Sequence, residues 1–228
     1  DKLNKVGLTT SCLNLFVGIK GSPYEYELRS SNIWHVPSED FKEVMNVNMD
    51  NIFDKDLLMF IGFPCAKDPK WSKRFPNKSN CVIITLCKYD LFKKWENTKL
   101  GKRGKDYEEF KNKMTEKMLK VLYKYYPSIK GNVKYTNLGS PLTFNHYINS
   151  NQGEIYGLKN NPDRFQVDDW LRPKTEIQNL YITGQDVLSH GITGALSSGL
   201  LTTYSILGYG TILDLILGRD LMKDLKNI

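Results

Sequence analysis

One glycine-rich stretch near the end of the chain constrains the fold more than any other. It runs from Leu180 to Thr203 and reads LYITGQDVLSHGITGALSSGLLTT. Its apolar start predicts a short buried strand, and Gly184-Gln-Asp186 predicts a turn. The small residues from Gly191 onward predict the start of a helix. A strand, a turn and a helix in this order are typical of α/β architecture.

The glycines of this stretch indicate half of a dinucleotide site. Gly191 and Gly194 lack side chains where the helix begins, which lets a ligand approach the backbone and leaves helix N–H groups for an anion. Asp186, at the carboxyl end of the predicted strand, is placed to accept hydrogen bonds from sugar or polyol hydroxyls. An ordinary strand-turn-helix junction explains the local pattern equally well, because short glycine motifs recur by chance.

The residues before this stretch predict a sheet and one long helix. Apolar residues recur at helical spacing from Asp106 to Tyr125, and Pro127 ends that helix. The apolar or β-branched segments that predict strands are Cys12–Ile19, Asn32–Val36, Leu57–Phe63, Cys81–Cys87 and Val133–Asn137. Strands combined with a long internal helix predict an α/β or α+β chain.

The apolar segment from Gly194 to Gly218 raises the question of a membrane. We expect a buried helix, a break at Gly208-Tyr-Gly210 and a second apolar helix that can lie against a membrane surface. A membrane-spanning helix is the less favoured alternative, because the segment contains five glycines and Asp214.

Charge and cysteine content exclude some classes of site. The chain has 32 Lys and Arg against 25 Asp and Glu, a formal charge of +7. The basic residues are interspersed with acidic ones, so we expect a solvated basic surface and no nucleic-acid partner. The four cysteines show neither a CxxC motif nor a Cys/His spacing suited to zinc, so no metal site is expected. Cys81 and Cys87 flank an apolar run and are interpreted as core thiols.

Seven stretches together resemble a known enzyme family. They are Phe60–Trp71, Arg74–Pro76, Gly101–Lys111, Gly139–Thr143, Tyr156–Gly157, Ile177–Asp186 and Gly191–Ala195. In this order they resemble the retinol saturase family, within the FAD-dependent group of phytoene desaturases and carotenoid isomerases. The Gly-Gln-Asp loop is common to the wider group, whereas the Ala-Lys-Asp-Pro and Ser-Pro-Leu-Thr stretches point to this branch. The resemblance covers the chain from about Cys12 to its end.

The resemblance implies a Rossmann-like FAD/NAD(P)-binding flavoprotein of the amine-oxidase and phytoene desaturase type. Residues 1–175 would form the substrate-binding domain and residues 176–228 the C-terminal FAD-binding segment. The residues that would hold FAD are Gly184, Gln185, Asp186, Gly191, Ile192, Thr193, Gly194 and Ala195. Tyr147, Tyr156 and Gly157 would line the polyene cavity, although ordinary packing explains them equally well. The family's catalytic acid is not identified by these residues, and His190 is a candidate because it lies beside the flavin loop.

The chain departs from the family in one respect. The family begins with a strand, a G-x-G-x-x-G motif and a helix that hold the pyrophosphate, and these residues contain no such motif. We therefore expect a C-terminal part that lacks the N-terminal βαβ unit and has the missing FAD domain of the same protein as its partner. The isolated chain is expected to bind FAD poorly and to be inactive.

The family's reaction sets the functional expectation. The resemblance implies saturation of a conjugated C=C bond of a retinoid, of the type all-trans-retinol to 13,14-dihydroretinol, with NAD(P)H as a candidate external reductant. It also implies association with the endoplasmic reticulum membrane. Two alternatives remain open. One is a carotenoid desaturase or isomerase, and the other is a non-catalytic lipid- or membrane-binding module.

Overall fold

The chain divides into two compact units. The computed structural model describes residues 2–40, 42–44, 52–166, 172–208 and 210–218. Thr10–Ile155 form the first unit, which we call the sheet unit. Asp1–Thr9 and Tyr156–Ile228 form the second, which we call the loop-helix unit. These units reflect packing alone, so the division by function into residues 1–175 and 176–228 stays a prediction.

The sheet unit contains one antiparallel five-stranded sheet. Its strands are β1 (Ser11–Lys20), β2 (Ile33–His35), β3 (Met59–Gly62), β4 (Lys78–Cys87) and β5 (Val133–Gly139). Their spatial order is β2-β3-β4-β1-β5. All five predicted strands are confirmed. At the centre of the sheet, Leu15 pairs with Ile83 on one side and Leu138 on the other, so apolar side chains meet on one face.

The helices are mostly short. They are α1 (Lys2–Val6), α2 (Pro64–Lys67), α3 (Trp71–Arg74), α4 (Lys105–Tyr125), α5 (Pro141–Ile148), α6 (Pro162–Phe165), α7 (Gly191–Leu207) and α8 (Gly210–Ile216). Helix α4 confirms the predicted long helix. Helix α5 was not predicted from the sequence. Ser140 accepts from the first helical turn while its own N–H donates to Thr143, and Pro141 occupies the first helical position.

Helix α4 and one face of the sheet share a single hydrophobic core. The helix buries Met114, Met118, Val121 and Leu122 at its apolar spacing. Each fully buried side chain of this size contributes roughly 1.5–3 kcal/mol. The predicted core thiols are confirmed, since all four cysteines are buried and reduced. Burial raises the pKa of Cys12 to about 12, so this thiol stays protonated at neutral pH.

The prediction of a buried strand at the start of the glycine-rich stretch is wrong. Leu180 is 47% exposed and Ile182 is 42% exposed. Tyr181 forms only an isolated bridge with Lys174, and the Ile182 N–H donates to the Pro173 carbonyl at 2.8 Å. Among the residues that the structure describes, Leu180–Thr183 pairs with no strand beyond this bridge, so no β-ladder forms along its other edge.

The prediction for the terminal apolar segment is confirmed in part. Two helices, α7 and α8, are separated at Gly208 as expected. Helix α7 is not a buried helix, however, because its buried residues are Gly194 and Ser198. Ile192 and Leu196 are 88% and 75% exposed. In the described part of the chain, no helix has both the length and the apolar character needed to cross a membrane.

Candidate functional site

Two glycines of the loop-helix unit present their backbone to open space. Gly184 opens a turn in which the Val187 N–H donates to its carbonyl at 3.1 Å, and its φ is 104°. Gly191 begins α7 with a φ of 80°. Both values favour glycine. A Cβ at Gly184 would meet nothing within 4 Å, and one at Gly191 would meet only the Tyr156 ring at 3.9 Å. A ligand can therefore approach both.

Two other glycines serve close packing instead. A Cβ at Gly194 would overlap the Ser189 carbonyl, so the space expected for a ligand there is filled by the loop itself. A Cβ at Gly157, which has a φ of 63°, would overlap the Asp186 carboxylate. These positions need glycine because the chain folds onto itself. The assignment of Gly194 to cofactor binding stays a prediction. The structure explains why this residue is a glycine by its close packing against Ser189, and not by space for a ligand.

The Asp186 carboxylate is anchored to the backbone of Leu158. Its Oδ1 accepts the Leu158 N–H at 2.8 Å. The Leu158 carbonyl in turn accepts from Arg164 Nη1 at 3.1 Å and from His190 Nε2. The backbone of Leu158 thus joins the side chains of Asp186, Arg164 and His190. Its N–H fixes the Asp186 carboxylate, which was expected to meet the cofactor. Oδ2 is the oxygen of Asp186 that remains for a ligand.

Arg164 lies at the centre of this network. It is fully buried, and Nη2 donates to the Gln185 carbonyl at 2.7 Å. Burial lowers the pKa of its guanidinium, whereas the charge of Asp186 raises it. Its Nε is buried and has no partner among the described residues. A buried charge of this kind is retained only where hydrogen bonds and an opposite charge compensate it.

Gln185 and Ser198 hold the turn against helix α7. Gln185 Oε1 accepts the Gly191 N–H at 3.2 Å, so this side chain caps the helix. Ser198 is fully buried, and its Oγ accepts the Gly184 N–H at 3.0 Å. The Oε1 atom of Gln185 is therefore already occupied by the start of α7.

His190 is fixed by two contacts. Its ring stacks on Tyr156 with centroids 5.3 Å apart and planes 10° from parallel. Its Nε2 faces a carbonyl oxygen, so Nε2 carries a proton, while Nδ1 forms no hydrogen bond with a residue that the structure describes.

The structure brings most of the predicted site residues together in one unit. Tyr156, Gly157, His190 and all eight predicted FAD-binding residues belong to the loop-helix unit, whereas Tyr147 belongs to the sheet unit. A cavity of about 610 Å³ lies in the loop-helix unit and is lined by residues 172–176, by Val187 and Leu188, and by helix α7. None of the eight predicted FAD-binding residues lines this cavity.

Two buried polar residues of the candidate site, Arg164 and Ser198, were not predicted from the sequence. Arg164 follows Asn161-Pro-Asp, a sequence typical of a surface turn, and only the fold shows that the turn directs the guanidinium inward. Ser198 lies among several small residues that predict no particular contact. Its position seven residues after Gly191, two turns along α7, is the one signal that could have placed it on the same helix face.

Comparison with known proteins decides the relationship. Over 221 residues the chain is 34% identical to all-trans-retinol 13,14-reductase of Homo sapiens, covering 94% of this chain and 35% of that protein. It is also 34% identical over 203 residues to the Danio rerio reductase of the same name, covering 86% of this chain and 33% of that protein. The chain is a relative of the all-trans-retinol 13,14-reductases. The resemblance expected from the motifs is confirmed.

These matches cover only part of each relative. The chain spans about a third of the length of these relatives. A protein named inactive all-trans-retinol 13,14-reductase, from Danio rerio, is 27% identical over 215 residues, which is 92% of this chain and 35% of that protein. Identity to the family therefore does not by itself establish activity. No protein-family model matches the chain.

Proposed function

We propose that this chain is the C-terminal part of an FAD-dependent retinoid reductase. The observation that carries the proposal is the 34% identity to all-trans-retinol 13,14-reductases over as much as 94% of the chain. The relative named inactive is less similar, at 27% identity. The loop-helix unit then closes a flavin site whose remaining part is the N-terminal FAD domain of the same protein.

The residues of the loop-helix unit fit a dinucleotide cofactor. The backbone at Gly184 and Gly191 faces open space. The N–H groups of Ile192 and Thr193 lie in the first turn of α7, where helix geometry gives them no intrahelical acceptor. They are suited to a phosphate or to a carbonyl of the flavin ring, and Asp186 Oδ2 is suited to a ribityl hydroxyl. Bound FAD would supply the reducing equivalents, reloaded by NAD(P)H.

The proton for the second carbon of the double bond needs its own donor. His190 serves this role only through Nδ1, because Nε2 is held by the Leu158 carbonyl. If His190 is the donor, His190→Gln lowers the rate of product formation; an unchanged rate excludes it.

The proposed substrate is a retinoid, saturated at one conjugated double bond as in the conversion of all-trans-retinol to 13,14-dihydroretinol. Such a substrate partitions into lipid, which supports a location at a membrane, and the membrane proposed is that of the endoplasmic reticulum. The 228 residues alone are proposed to be inactive, because they lack a G-x-G-x-x-G motif.

Product analysis tests the proposal. The full-length protein that contains this chain is incubated with all-trans-retinol and NAD(P)H. The reaction products are separated, and their masses are measured by mass spectrometry. A product heavier than retinol by one H₂ supports the reductase. Loss of H₂ from a carotenoid substrate supports the desaturase alternative, and unchanged mass with a shifted double-bond geometry supports an isomerase. No conversion of either substrate contradicts all three.

A lipid- or membrane-binding module is the second candidate function. It is favoured by the apolar side chains that α7 and α8 expose, namely Ile192, Leu196, Leu213, Leu215 and Ile216. An exposed apolar set of this kind marks an interaction surface. Flotation with liposomes tests it, since Leu196→Asp and Ile216→Asp together should abolish binding while Gly184→Ala should not. Flotation of the wild type and the double variant to the same extent would contradict it.

A further inference from the structure

The segment between β3 and β4 presents a strongly basic surface. It runs from Pro64 to Lys78 and contains α2 and α3. It has five basic residues and one acidic residue, Asp68, so its formal charge is +4. We call it the basic segment. Its basic residues are Lys67, Lys70, Lys73, Arg74 and Lys78.

The basic segment is fixed to the sheet by its own apolar residues. Cys65 is buried, and its N–H donates to the Asn80 side chain on β4 at 2.9 Å. Trp71 packs against the hydrophobic core, and its Nε1 donates to the Lys78 carbonyl at 2.7 Å. Phe75 packs on Trp71 with ring centroids 4.6 Å apart. Because these contacts hold the segment in place, its exposed side chains form a defined surface.

Only part of the positive charge is neutralised within the protein. Arg74 pairs with Asp68, and Lys67 donates to the uncharged side chain of Asn32. Lys73 is exposed and forms no ion pair with any residue that the structure describes. Unpaired lysines are almost never buried in proteins, so this surface faces either water or an anionic partner.

Two lysines at the end of this segment face each other across the sheet. Lys20 and Lys78 are partners at the end of the β1–β4 ladder, and both are exposed. Like charges that lie directly opposite each other destabilise an antiparallel pair. An anion that contacts both side chains removes this repulsion, so the arrangement favours a negatively charged partner.

Exposed aromatic rings lie beside these cations. Phe75 is 41% exposed, and the Arg74 guanidinium lies 5.4 Å from the centre of its ring. Tyr24 is 84% exposed and follows Gly21, whose N–H donates to the Asn77 carbonyl at 3.0 Å. Exposed aromatic residues among lysines and arginines are typical of surfaces that lie at the boundary between a lipid bilayer and water.

We propose that the basic segment, together with Tyr24, binds the surface of a bilayer that contains anionic lipids such as phosphatidylserine. The lysines contact the lipid head groups, while Phe75 and Tyr24 enter the interface. Each lysine near an anionic bilayer strengthens binding about fivefold. The carboxylates of the Tyr24 loop, Glu25 and Glu27, are matched in number by Lys20 and Arg29, so the surface keeps its positive charge.

This proposal does not rest on the retinoid reductase activity, because the surface contains none of the residues assigned to cofactor or substrate. It also differs from the apolar surface of α7 and α8, whose binding to a bilayer requires no anionic lipid.

Flotation of the full-length protein with lipid vesicles tests the role of charge. One set of vesicles is phosphatidylcholine alone, and the other is phosphatidylcholine mixed with phosphatidylserine. We expect at least about tenfold stronger binding to the mixed vesicles at about 0.1 M NaCl, and loss of this preference at about 1 M, because salt screens exposed charges. Equal binding to the two kinds of vesicle at low salt, or binding to neither, would overturn the proposal.

Paired lysine variants locate the surface. Lys70→Gln together with Lys73→Gln removes two positive charges and should weaken binding to the mixed vesicles about thirtyfold. Lys113→Gln together with Lys120→Gln removes the same charge from exposed positions on α4 and should leave binding nearly unchanged. Equal losses in the two pairs would show that net charge alone is responsible, and would contradict the assigned surface.

An aromatic variant tests the contact with the interface. Phe75→Ala should weaken binding to the mixed vesicles about tenfold, because a ring no longer enters the bilayer. Leu100→Ala is the control, since Leu100 is 44% exposed and lies outside the surface. Denaturant unfolding should be the same for each variant and the wild type, so that a loss of binding reports on the surface. Unchanged binding of Phe75→Ala would contradict the insertion of this ring.

Discussion

The two units of this chain are stabilised by different kinds of contact. In the sheet unit, the largest fully buried side chains are almost all apolar, among them Phe63, Phe92 and Met118. In the described part of the loop-helix unit, the buried apolar residues are Val6, Leu158, Pro173 and Val187. The polar residues Arg164 and Ser198 have no exposed area at all. The first unit has a hydrophobic core. The second depends on hydrogen bonds to its own backbone.

This difference bears on function. Hydrogen bonds contribute little net free energy each, about 0.5–1.5 kcal/mol, but they fix geometry. The loop-helix unit uses them to hold a turn and a helix start in place while it leaves Ile192 and Leu196 uncovered. Such a unit is suited to completing a site together with another part of the protein. The sheet unit, by contrast, has its own hydrophobic core.

The largest expected effect tests the hydrophobic half of this comparison. Phe92 is fully buried, and its ring packs against Phe110 with centroids 5.0 Å apart. Phe92→Ala should lower the free energy of unfolding by about 4 kcal/mol, because it removes an aromatic ring and leaves a cavity. Denaturant unfolding measures this loss. The control is Phe75→Ala, since Phe75 is 41% exposed, and equal losses for both variants would show that the core is not where we place it.

The second largest expected effect tests whether buried polar contacts stabilise the loop-helix unit. Arg164→Met leaves the Gln185 carbonyl without its donor, and the Leu158 carbonyl keeps only the His190 donor. We expect a loss of about 3 kcal/mol in the loop-helix unit, seen as faster hydrogen exchange of the Leu158 and Gly184 amides. Exchange in the sheet unit should not change. The control is Arg74→Met, because Arg74 is an exposed residue paired with Asp68. If the Leu158 amide stays protected from exchange in Arg164→Met, Arg164 does not hold this unit together.

A smaller effect tests the attachment of the turn to α7. Ser198→Ala removes the acceptor of the Gly184 N–H and should cost about 1–2 kcal/mol. Hydrogen exchange of the Gly184 amide measures it directly. Ser197→Ala is the matched control, because Ser197 is the neighbouring serine and is only partly buried. Similar exchange rates in the two variants would mean that the turn is held by other contacts.

The smallest effect is a pH dependence confined to the sheet unit. Burial is the main cause that lowers the pKa of His35, the charge of Lys124 lowers it further, and Asp56 opposes the shift. The unfolded chain, with a pKa of about 6.5, therefore takes up a proton before the folded one does. Stability is complete above about pH 6.5 and decreases as the pH falls below that value. Denaturant unfolding at pH 7.5 and pH 5 should show this slope in the wild type and a weaker slope in His35→Gln.

The sequence predicted the sheet unit well because its signals are local. Alternating residues such as Leu13 and Leu15 define β1, and the apolar spacing of Met114 and Met118 defines α4. The helix α5 was not among the predicted elements, although Pro141 favours a helix start.

The candidate site was predicted less completely because its contacts are distant in sequence. The turn at Gly184 and the helix start at Gly191 could be located from glycines alone. The anchors could not, because Arg164 reaches Gln185 across 21 residues and His190 reaches Leu158 across 32. The missing strand has a related cause. An apolar run such as Leu180–Thr183 predicts a strand from composition, whereas a ladder requires a partner.

Equilibrium binding of FAD tests the central proposal most directly. The complete product of the gene that encodes this chain is titrated with FAD after removal of any bound flavin, alongside Gly184→Val and Ser197→Ala. We expect stoichiometric binding by the wild type and by Ser197→Ala. Gly184→Val should bind at least about tenfold more weakly, because its side chain occupies the open space beside the turn. A wild type that binds no FAD, or a Gly184→Val variant that binds it as tightly, would contradict the proposal that this turn closes a flavin site.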